Sequence, residues 1–330
     1  MDRLVLIDAH AIIHRAYHAL PPLTNSKGEQ TGAVYGFASM LLRVIQNLKP
    51  THMAVAFDRP KPTFRQEIFK EYQAHRPKLA DDFVPQILLV HKLVEDLGIP
   101  IFEMDGYEAD DVIGTIATNI KYQKSKIKNT NKKSKIPEKI EIIVVTGDRD
   151  ILQLVNGHVK VFMPVKGLAE GKLFGEKEVE EKFGIKASQV VDYKALVGDA
   201  SDNYPGVVGI GPKTASDLLR QFHTLEILYK HLEEISNEKV RQKLTVSRES
   251  AELSKTLATI VTQVPIEIDI SKCKLPILDR PHIHAIFEEL GFRSLIPRLS
   301  SDIKQKHNNS KQTKEKENQI ENISQQTSLF

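Results

Sequence analysis

The residues of this chain that are best suited to chemistry are nine carboxylates. They are Asp8, Asp58, Glu108, Asp110, Asp111, Asp148, Asp150, Asp199 and Asp202. Carboxylates that converge in one cleft cannot all stay ionised without a cation, and hard divalent ions such as Mg²⁺ prefer oxygen ligands. Because the set contains neither histidine nor cysteine, it favours Mg²⁺ or Mn²⁺ over zinc.

These acids are numerous enough for two ions. Two ions about 3.5–4 Å apart commonly promote in-line displacement at phosphorus, so we expect two Mg²⁺ or Mn²⁺ ions and a phosphodiester substrate. Each group of acids also has an ordinary structural interpretation, because acids stabilise a first helical turn and Asp is common in turns. For Glu108, Asp110 and Asp111, which open a helical pattern, the sequence alone leaves a helix cap and a metal site as equal alternatives.

Three of the acids follow short apolar runs that are typical of buried parallel strands. The runs are residues 4–7 before Asp8, 53–57 before Asp58 and 142–147 before Asp148. Helical patterns at 33–48 and 84–97 alternate with them, which predicts a parallel α/β sheet through about residue 190. Because the crevice of such a sheet lies at the carboxyl ends of its strands, these acids are expected to share one cleft. Residues 212–295 predict a smaller helical domain.

Composition limits the possible classes of protein. At 330 residues and 41% hydrophobic, the chain can bury a core and form two domains with a tail. Its single cysteine, Cys273, excludes an intramolecular disulfide and a Cys-rich zinc site, in keeping with a reducing compartment. The N-terminus has neither the apolar core of a signal peptide nor the length of a membrane span. We expect a soluble, cytoplasmic protein without membrane association.

The net charge of +3 comes from one segment. Residues 121–139 contain eight Lys and one Glu, a balance of +7, so the rest of the chain carries −4. The favoured interpretation is a solvated, disordered insertion, and the alternative is a flexible arm that binds phosphates. Residues 297–330 are rich in Ser, Asn, Gln and Lys and are predicted to be a disordered tail.

A glycine-rich segment begins the helical half. Its candidate DNA-binding residues are Gly206, Gly209, Gly211, Lys213 and Thr214. A P-loop is disfavoured because Pro212 separates Gly211 from Lys213 and no strand precedes Gly206. The pattern instead predicts a turn that starts a helix and binds one phosphate of duplex DNA without reading bases.

A basic and aromatic segment follows Asp58. Residues 59–85 include Arg65, Lys70, Tyr72, Arg76 and Lys78. One interpretation is a solvated amphipathic helix. The favoured one is a cover over the metal site, in which Arg and Lys orient phosphates and Tyr72 stacks on an unpaired base.

Several motifs together resemble the 5′ nuclease (5′→3′ exonuclease) domain of bacterial DNA polymerase I, within the flap endonuclease family. The motifs are Asp8 with residues 14–19 (HRAYHA), 56–58 (AFD), 63–65 (TFR), 106–111 (GYEADD), 146–150 (TGDRD) and 198–203 (GDASDN). They occur in order over roughly residues 1–295. The resemblance implies a PIN-like or resolvase-like α/β fold with a mostly parallel sheet flanked by helices. It also implies a helical arch at about 65–85 and a helix–hairpin–helix variant (H3TH) at 206–222.

The resemblance implies domains at 1–192 and 193–296, the second binding duplex DNA and holding K⁺ at its hairpin. It implies cleavage of 5′ flaps, nicks and 5′ ends in DNA during replication, including Okazaki fragment processing, and repair. One metal would be held by the group Glu108, Asp110 and Asp111, the other by Asp148, Asp150, Asp199 and Asp202, with Asp8 and Asp58 completing the cluster. Arg15, Arg65 and Arg76 would orient phosphates. We expect a monomer.

One departure from the family pattern concerns the arch. Members usually carry Tyr-Lys there, whereas Tyr72 is followed by Gln73, which cannot neutralise charge in the transition state. We hypothesise that Lys70, one helical turn earlier, partly substitutes. A catalytically weak DNA-junction-binding module and a metal-dependent RNA nuclease are therefore the alternative functions.

No polymerase follows the nuclease motifs, so the sequence leaves open a stand-alone enzyme or one part of a longer protein. The last residues resemble a peptide that docks on the sliding clamp, with Gln326, Leu329 and Phe330 as its anchors. A disordered tether with such an end would raise the concentration of the protein at DNA.

Overall fold

The computed structural model describes residues 2–128, 140–166 and 170–300. Six strands form one sheet in the order β3-β2-β1-β4-β5-β6. They are β1 (Asp2–Asp8), β2 (His52–Ala56), β3 (Ile101–Phe102), β4 (Ile140–Val145), β5 (Val159–Lys166) and β6 (Glu170–Phe174). Only β6 is antiparallel to its neighbour. The three predicted strands are confirmed as β1, β2 and β4, which lie side by side within the sheet.

Helices cover both faces of this sheet. In the first half they are α1 (Ala9–Ala19), α2 (Gly32–Leu48), α3 (Phe64–Ile68), α4 (Phe83–Asp96) and α5 (Ala109–Lys128). In the second half they are α6 (Glu176–Phe183), α7 (Val190–Val197), α8 (Pro212–Phe222), α9 (Leu225–Lys230), α10 (Glu238–Val246), α11 (Arg248–Ala258), α12 (Pro281–Glu289) and α13 (Ile296–Leu299). The helices predicted at 33–48 and 84–97 are confirmed as α2 and α4. Among the described residues, none of the helices could span a lipid bilayer.

Two hydrophobic cores lie on opposite faces of the sheet. Leu4 and Leu6 of β1 belong to the core that includes α5 and the helical second half of the chain. Val5 and Ile7 belong to the core formed with α1, α2, α4 and α12. Because both faces are buried, the central strands contain runs of consecutive apolar residues, such as 4–7 of β1, 53–56 of β2 and 142–145 of β4, instead of alternating apolar and polar residues. This packing fixes the carboxyl edge of the sheet against the helical half.

The segment predicted as a helical arch at 65–85 is helical only at its two ends. Between α3 and α4 the chain forms turns and extended backbone. Gln73 adopts a left-handed conformation (φ 57°), and its backbone N–H donates to the carbonyl of Asp202 at 2.9 Å. Pro77 in addition disfavours helical geometry at the residue before it. The arch segment is thus helical at its two ends and formed by turns in its middle.

Two predictions of disorder also need correction. The first part of the Lys-rich segment 121–139 is helical, because α5 continues to Lys128. Residues 121–128 contain no Gly or Pro, and their Lys and Gln residues favour helix. Residues 129–139 lie outside the described residues, as do residues 301–330 with Gln326, Leu329 and Phe330.

The predicted tail boundary at 297 is wrong. Helix α13 runs through it, Leu299 is buried, and the Arg298 guanidinium donates to the hydroxyl and carbonyl oxygens of Ser39 at 3.0 Å each. The composition of residues 297–330 is polar on average, so it gave no sign that Leu299 is buried. The folded body consequently extends to residue 300.

Candidate metal centre and nucleic-acid interface

Three acids lie at the carboxyl edge of neighbouring strands, as predicted. Asp8 ends β1 and caps α1, its Oδ1 accepting from the backbone N–H of Ala11 at 3.1 Å. Its Oδ2 accepts from the hydroxyl of Thr146 at 2.6 Å, and that hydroxyl accepts from the backbone N–H of Asp148 at 2.9 Å. Thr146 thus joins the acid that ends β1 to the acid that follows β4.

Asp58 positions the next acids by capping a helix. Its Oδ1 accepts from the backbone N–H of Ala109, the first residue of α5, at 2.7 Å. The amino end of α5 is therefore held at the strand ends, with Glu108 and Asp110 beside it. His10, which the sequence did not single out, accepts from the Asp58 backbone N–H at 3.1 Å through Nδ1.

Burial and like charge raise the pKa values of these acids. Burial, followed by the charges of Asp58 and Asp148, raises the pKa of Asp8 to about 7. Burial also raises the pKa of Glu108 to about 7, although Arg65 opposes it. The pKa of Asp110 lies well above its ordinary value through burial and the charges of Asp148 and Asp8. Over the described residues, Asp110 makes no hydrogen bond or ion pair, so its carboxylate lacks a protein cation.

A second group consists of Asp150, Asp199 and Asp202. One carboxylate oxygen from each lies within 4.8 Å of the other two. Asp150 begins a 3₁₀ helix after β4, and the other two lie on the loop between α7 and α8. Burial, followed by the charge of Asp148, raises the pKa of Asp150 to about 7. Three buried or half-buried carboxylates this close suit one divalent ion.

Close backbone packing shapes the loop that carries Asp199 and Asp202. Asp199 and Tyr204 exchange backbone hydrogen bonds of 2.9 and 3.1 Å. Gly206 has φ 63°, and a Cβ there would lie 2.3 Å from the backbone nitrogen of Gly198. Only glycine fits this approach, which returns the loop towards the strand ends.

Lys194 is a site residue that sequence reasoning missed. Its ammonium contacts the carboxylates of both Asp150 and Asp199. Although burial opposes it, the hydrogen bond from Lys194 lowers the pKa of Asp199. The sequence carried no signal for this contact because it depends on how the last turn of α7 meets the residues that follow β4.

Arg65 and Asp111 do not lie where they were expected. The Arg65 side chain is 2% exposed and donates to both carboxylate oxygens of Asp111 at 2.7 and 2.8 Å. It also donates to the carbonyls of Leu257 and Thr259, both at 2.9 Å. Asp111 itself is fully buried and accepts a backbone N–H from Val261 at 2.8 Å. Arg65 is therefore not accessible to a phosphate, and the oxygens of Asp111 are already occupied.

Helix geometry gives the reason for this correction. Consecutive helical residues point about 100° apart, so the side chains of Asp110 and Asp111 leave α5 in different directions. Asp110 faces the acids of the strand ends, whereas Asp111 joins α5 to α3 and the chain after α11. The motif Asp-Asp thus contains one acid of the cluster and one acid of the framework.

The arch segment lies against the second group of acids. The Nε2 amide of Gln73 and the guanidinium of Arg76 both donate to Oδ1 of Asp202, at 3.1 and 2.7 Å. Tyr72 is 4% exposed, and its hydroxyl donates to Glu108 at 3.3 Å, so its ring is not open for base stacking in this structure. Lys70 and Lys78 are exposed. Because α3 ends at Ile68, Lys70 is not one helical turn from Gln73, and that premise was wrong.

The glycine-rich turn starts a helix as predicted. Gly211 is the N-cap of α8 and Pro212 occupies its first turn. Lys213 is exposed at the same helix end, and Thr214 is half-buried. Lys243 of α10, which was not predicted, donates to the carbonyl of Gly209 at 2.9 Å. Arg15, half-buried, lies on α1 downstream of Asp8.

The arrangement fits hard divalent cations. Its donors are all carboxylate oxygens, several of them buried with raised pKa values, and a bound Mg²⁺ or Mn²⁺ would offset their mutual repulsion. The exposed side chains of Lys70, Arg76 and Lys78 and the amino end of α8 can contact phosphates.

Comparison with known families agrees with this arrangement. Residues 3–184 match the family model described as the 5′-3′ exonuclease, N-terminal resolvase-like domain. Residues 185–281 match that described as the 5′-3′ exonuclease, C-terminal SAM fold. The predicted resolvase-like α/β domain with a helical second domain is therefore confirmed.

Curated relatives are DNA polymerases. DNA polymerase I of Bacillus subtilis (strain 168) is 40% identical over 300 residues, covering 91% of this chain and 32% of the relative. That of Bacillus caldotenax is 42% identical over 299 residues, with 91% and 32% covered. This chain spans about a third of the length of these relatives.

Solved structures share the fold at low identity. The T5 5′-exonuclease with bound zinc ions matches with a TM-score of 0.62, 18% identity and coverage of 92% of this chain and 98% of that chain. Flap endonuclease-1 from Methanococcus jannaschii matches with a TM-score of 0.53, 19% identity and 90% of each chain. The catalytic core of Rad2 in complex with DNA substrate gives 0.57, 16% identity and coverage of 90% and 92%.

Proposed function

The chain belongs to the 5′-3′ exonuclease family, and on this premise we propose that it is a Mg²⁺-dependent, structure-specific nuclease that hydrolyses DNA phosphodiester bonds at 5′ ends and 5′ flaps. The observation that carries the proposal is the convergence of buried and half-buried carboxylates, with raised pKa values, at the carboxyl edge of the sheet. Such a charge arrangement destabilises the metal-free protein and is offset when cations bind.

We assign the acids to two ions. Asp8, Glu108 and Asp110 face one position, with Asp58 beside them, and Asp150, Asp199 and Asp202 face the other. Asp148 lies between the groups, since its charge raises the pKa of both Asp110 and Asp150. When bound, the ions supply an activated water and neutralise charge at the scissile phosphate.

The remaining predicted residues hold the DNA. Arg76 contacts Asp202 of the second group of acids, and Arg76 together with the exposed Lys70 and Lys78 of the same segment would orient phosphates of the strand to be cut. Arg15 on α1 is assigned the same role from the family motif. The backbone amides at the start of α8, with Lys213, would bind one phosphate of the duplex, with K⁺ as the candidate ion for the hairpin carbonyls.

The direct test uses three labelled substrates: a 5′-flap DNA, the RNA of the same sequence and a plain DNA duplex. With Mg²⁺ we expect cleavage of the flap DNA and removal of nucleotides from the 5′ ends of the DNA duplex, but no cleavage of the RNA, and with EDTA we expect binding of the flap DNA without cleavage. Flap binding without any Mg²⁺-dependent cleavage would favour the junction-binding module. Preferential cleavage of the RNA would favour the RNA nuclease.

The cellular role is the wider part of the proposal. The matching relatives are DNA polymerase I chains about three times longer than this one. From the nuclease fold that this chain shares with them, we infer that it acts in DNA replication and repair. Docking on the sliding clamp through Gln326, Leu329 and Phe330 remains a sequence-based proposal. Clamp binding that persists after deletion of residues 326–330 would remove it.

A further inference from the structure

One lysine lies inside the second group of acids. The Lys194 side chain is 16% exposed, and its ammonium contacts Oδ1 of Asp150 and Oδ2 of Asp199 at once. These carboxylates are two of the three whose oxygens lie within 4.8 Å of one another. The chain's own ammonium therefore lies between ligands that a divalent ion would need.

An ammonium and a divalent ion cannot share these oxygens. Lysine donates three hydrogen bonds from a single positive charge, whereas Mg²⁺ needs about six oxygen ligands around a double charge. Two cations a few ångströms apart in a partly buried site also repel each other. Binding of an ion to Asp150 and Asp199 thus requires the ammonium to leave.

The structure provides space for that movement. A cavity of about 480 Å³ adjoins Lys194 and is lined also by Arg149, Phe183, Tyr193 and Val197. The lysine has a long, unbranched side chain, so its ammonium can turn into this cavity while its backbone stays on α7.

We propose that Lys194 is a resident cation of the second site: it neutralises Asp150 and Asp199 in the metal-free protein and competes with the divalent ion for them. This inference rests on the proposed two-ion function. It predicts that the lysine stabilises the metal-free fold and weakens metal binding at the second site, so that this site fills at higher metal concentration than the first.

A second lysine, on the neighbouring helix α11, provides a matched control. Lys255 of α11 bridges Asp192 of α7 at 2.6 Å and Glu226 of α9 at 2.5 Å. Its geometry repeats that of Lys194, but neither of its partners belongs to the group of acids that could hold an ion. Replacement of Lys255 removes a bridge without removing a competitor.

The experiment measures Mn²⁺ binding to the full chain without DNA, by electron paramagnetic resonance, for wild type, Lys194→Met, Lys194→Arg and Lys255→Met. We expect the weaker of two Mn²⁺ sites to tighten about tenfold in Lys194→Met, which corresponds to a loss of about 1.4 kcal/mol of competition. Lys194→Arg and Lys255→Met should not tighten it. In EDTA, Lys194→Met should unfold at lower temperature than wild type, and saturating Mn²⁺ should remove that difference.

The outcomes separate the two proposals. Two Mn²⁺ sites of unchanged affinity in Lys194→Met would overturn the resident cation and leave the two-ion function intact. If neither wild type nor Lys194→Met binds a second ion, both proposals fail. If Lys194→Met folds only with Mn²⁺, its metal-dependent refolding measures the same affinity, and a value no tighter than that of wild type again overturns the inference.

Discussion

Two groups of carboxylates, each with one member on helix α5, differ in whether their charge is neutralised by the protein. In the sealed pair, Arg65 and Asp111, a guanidinium binds both oxygens of one acid, and neighbouring backbone groups complete the hydrogen bonds. In the open cluster, formed by Asp8, Glu108, Asp110, Asp148 and the group Asp150, Asp199 and Asp202, like charges face one another across a cleft.

The difference shows which acids build the fold and which ones serve chemistry. A buried charge with a full set of partners is retained because removing either partner leaves the other uncompensated. A half-buried acid such as Asp110, which lacks any partner among the described residues, costs stability until a cation binds. Unfavourable local interactions of this kind occur mainly at functional sites.

The largest expected effect comes from Asp110→Asn. Loss of one carboxylate from the open cluster removes several kcal/mol of stabilisation of the transition state, so kcat/KM on a 5′-flap DNA should fall about 10³-fold. Stability to urea in EDTA should not fall, because the substitution removes a repelling charge. Urea denaturation and flap cleavage measure the two quantities on the same preparation. A large loss of stability would place Asp110 in the framework instead.

The matched substitution, Asp111→Asn, should act in the opposite manner. It leaves the Arg65 guanidinium buried without its carboxylate, so we expect a loss of about 3–5 kcal/mol in the free energy of unfolding. Arg65→Met should cost a similar amount, and the double variant Arg65→Met/Asp111→Leu should recover part of it. If Asp111→Asn abolishes cleavage while its urea midpoint is unchanged, the assignment of the sealed pair is wrong.

The same contrast separates the site residues that the sequence could predict from those that it could not. The strand-end acids were predictable because an apolar run followed by Asp places the carboxylate at the sheet edge, as Asp8 and Asp58 confirm. The division between Asp110 and Asp111 was not, because the phase of α5 depends on the cap from Asp58, which lies 51 residues earlier. The bridge of Lys194 likewise depends on long-range packing.

The arch and the end of the chain were harder to predict for a related reason. The segment after α3 follows hydrogen bonds to Asp202, which local helix propensity does not encode. The short α13 is fixed by Arg298 and one buried leucine within a polar region. Local pattern therefore predicted the regular elements, while contacts between distant segments decided the rest.

A smaller effect is expected from pH, because the pKa values of Asp8, Glu108 and Asp150 are raised to about 7 in the metal-free protein. Since these acids bind more protons folded than unfolded between their ordinary values and about 7, metal-free stability should fall as pH rises through that window. Divalent ions bind the ionised form, so Mg²⁺ affinity should rise towards pH 8, by up to about tenfold per pH unit for each proton released.

Calorimetry in two buffers of different ionisation enthalpy measures the protons released on Mg²⁺ binding. We expect protons to be released at pH 6.5 and few to be released at pH 8.5. Folded Asp111→Asn serves as the control and should release as many protons as wild type. Equal proton release at both pH values would contradict the raised pKa values of the open cluster.

The smallest effects should come from the exposed cations Arg76 and Lys70 of the arch segment. Arg76 contacts Asp202 but is 54% exposed, so Arg76→Ala should lower kcat/KM about tenfold, mostly through phosphate binding. Lys70→Ala should lower kcat/KM about two- to threefold, as is usual for a solvated charge. Both losses should shrink at higher salt. No loss in Lys70→Ala would end its assignment as a substitute for the cation that Gln73 lacks.

The most direct test of the central claim is a crystal soaked in Mn²⁺ and measured at the manganese absorption edge. The account predicts anomalous density at two positions, one bounded by Asp8, Glu108 and Asp110 and the other by Asp150, Asp199 and Asp202, with none at Asp111, which should still be bound to Arg65. Absence of density at both positions, or manganese bound to Asp111 in place of Arg65, would contradict it.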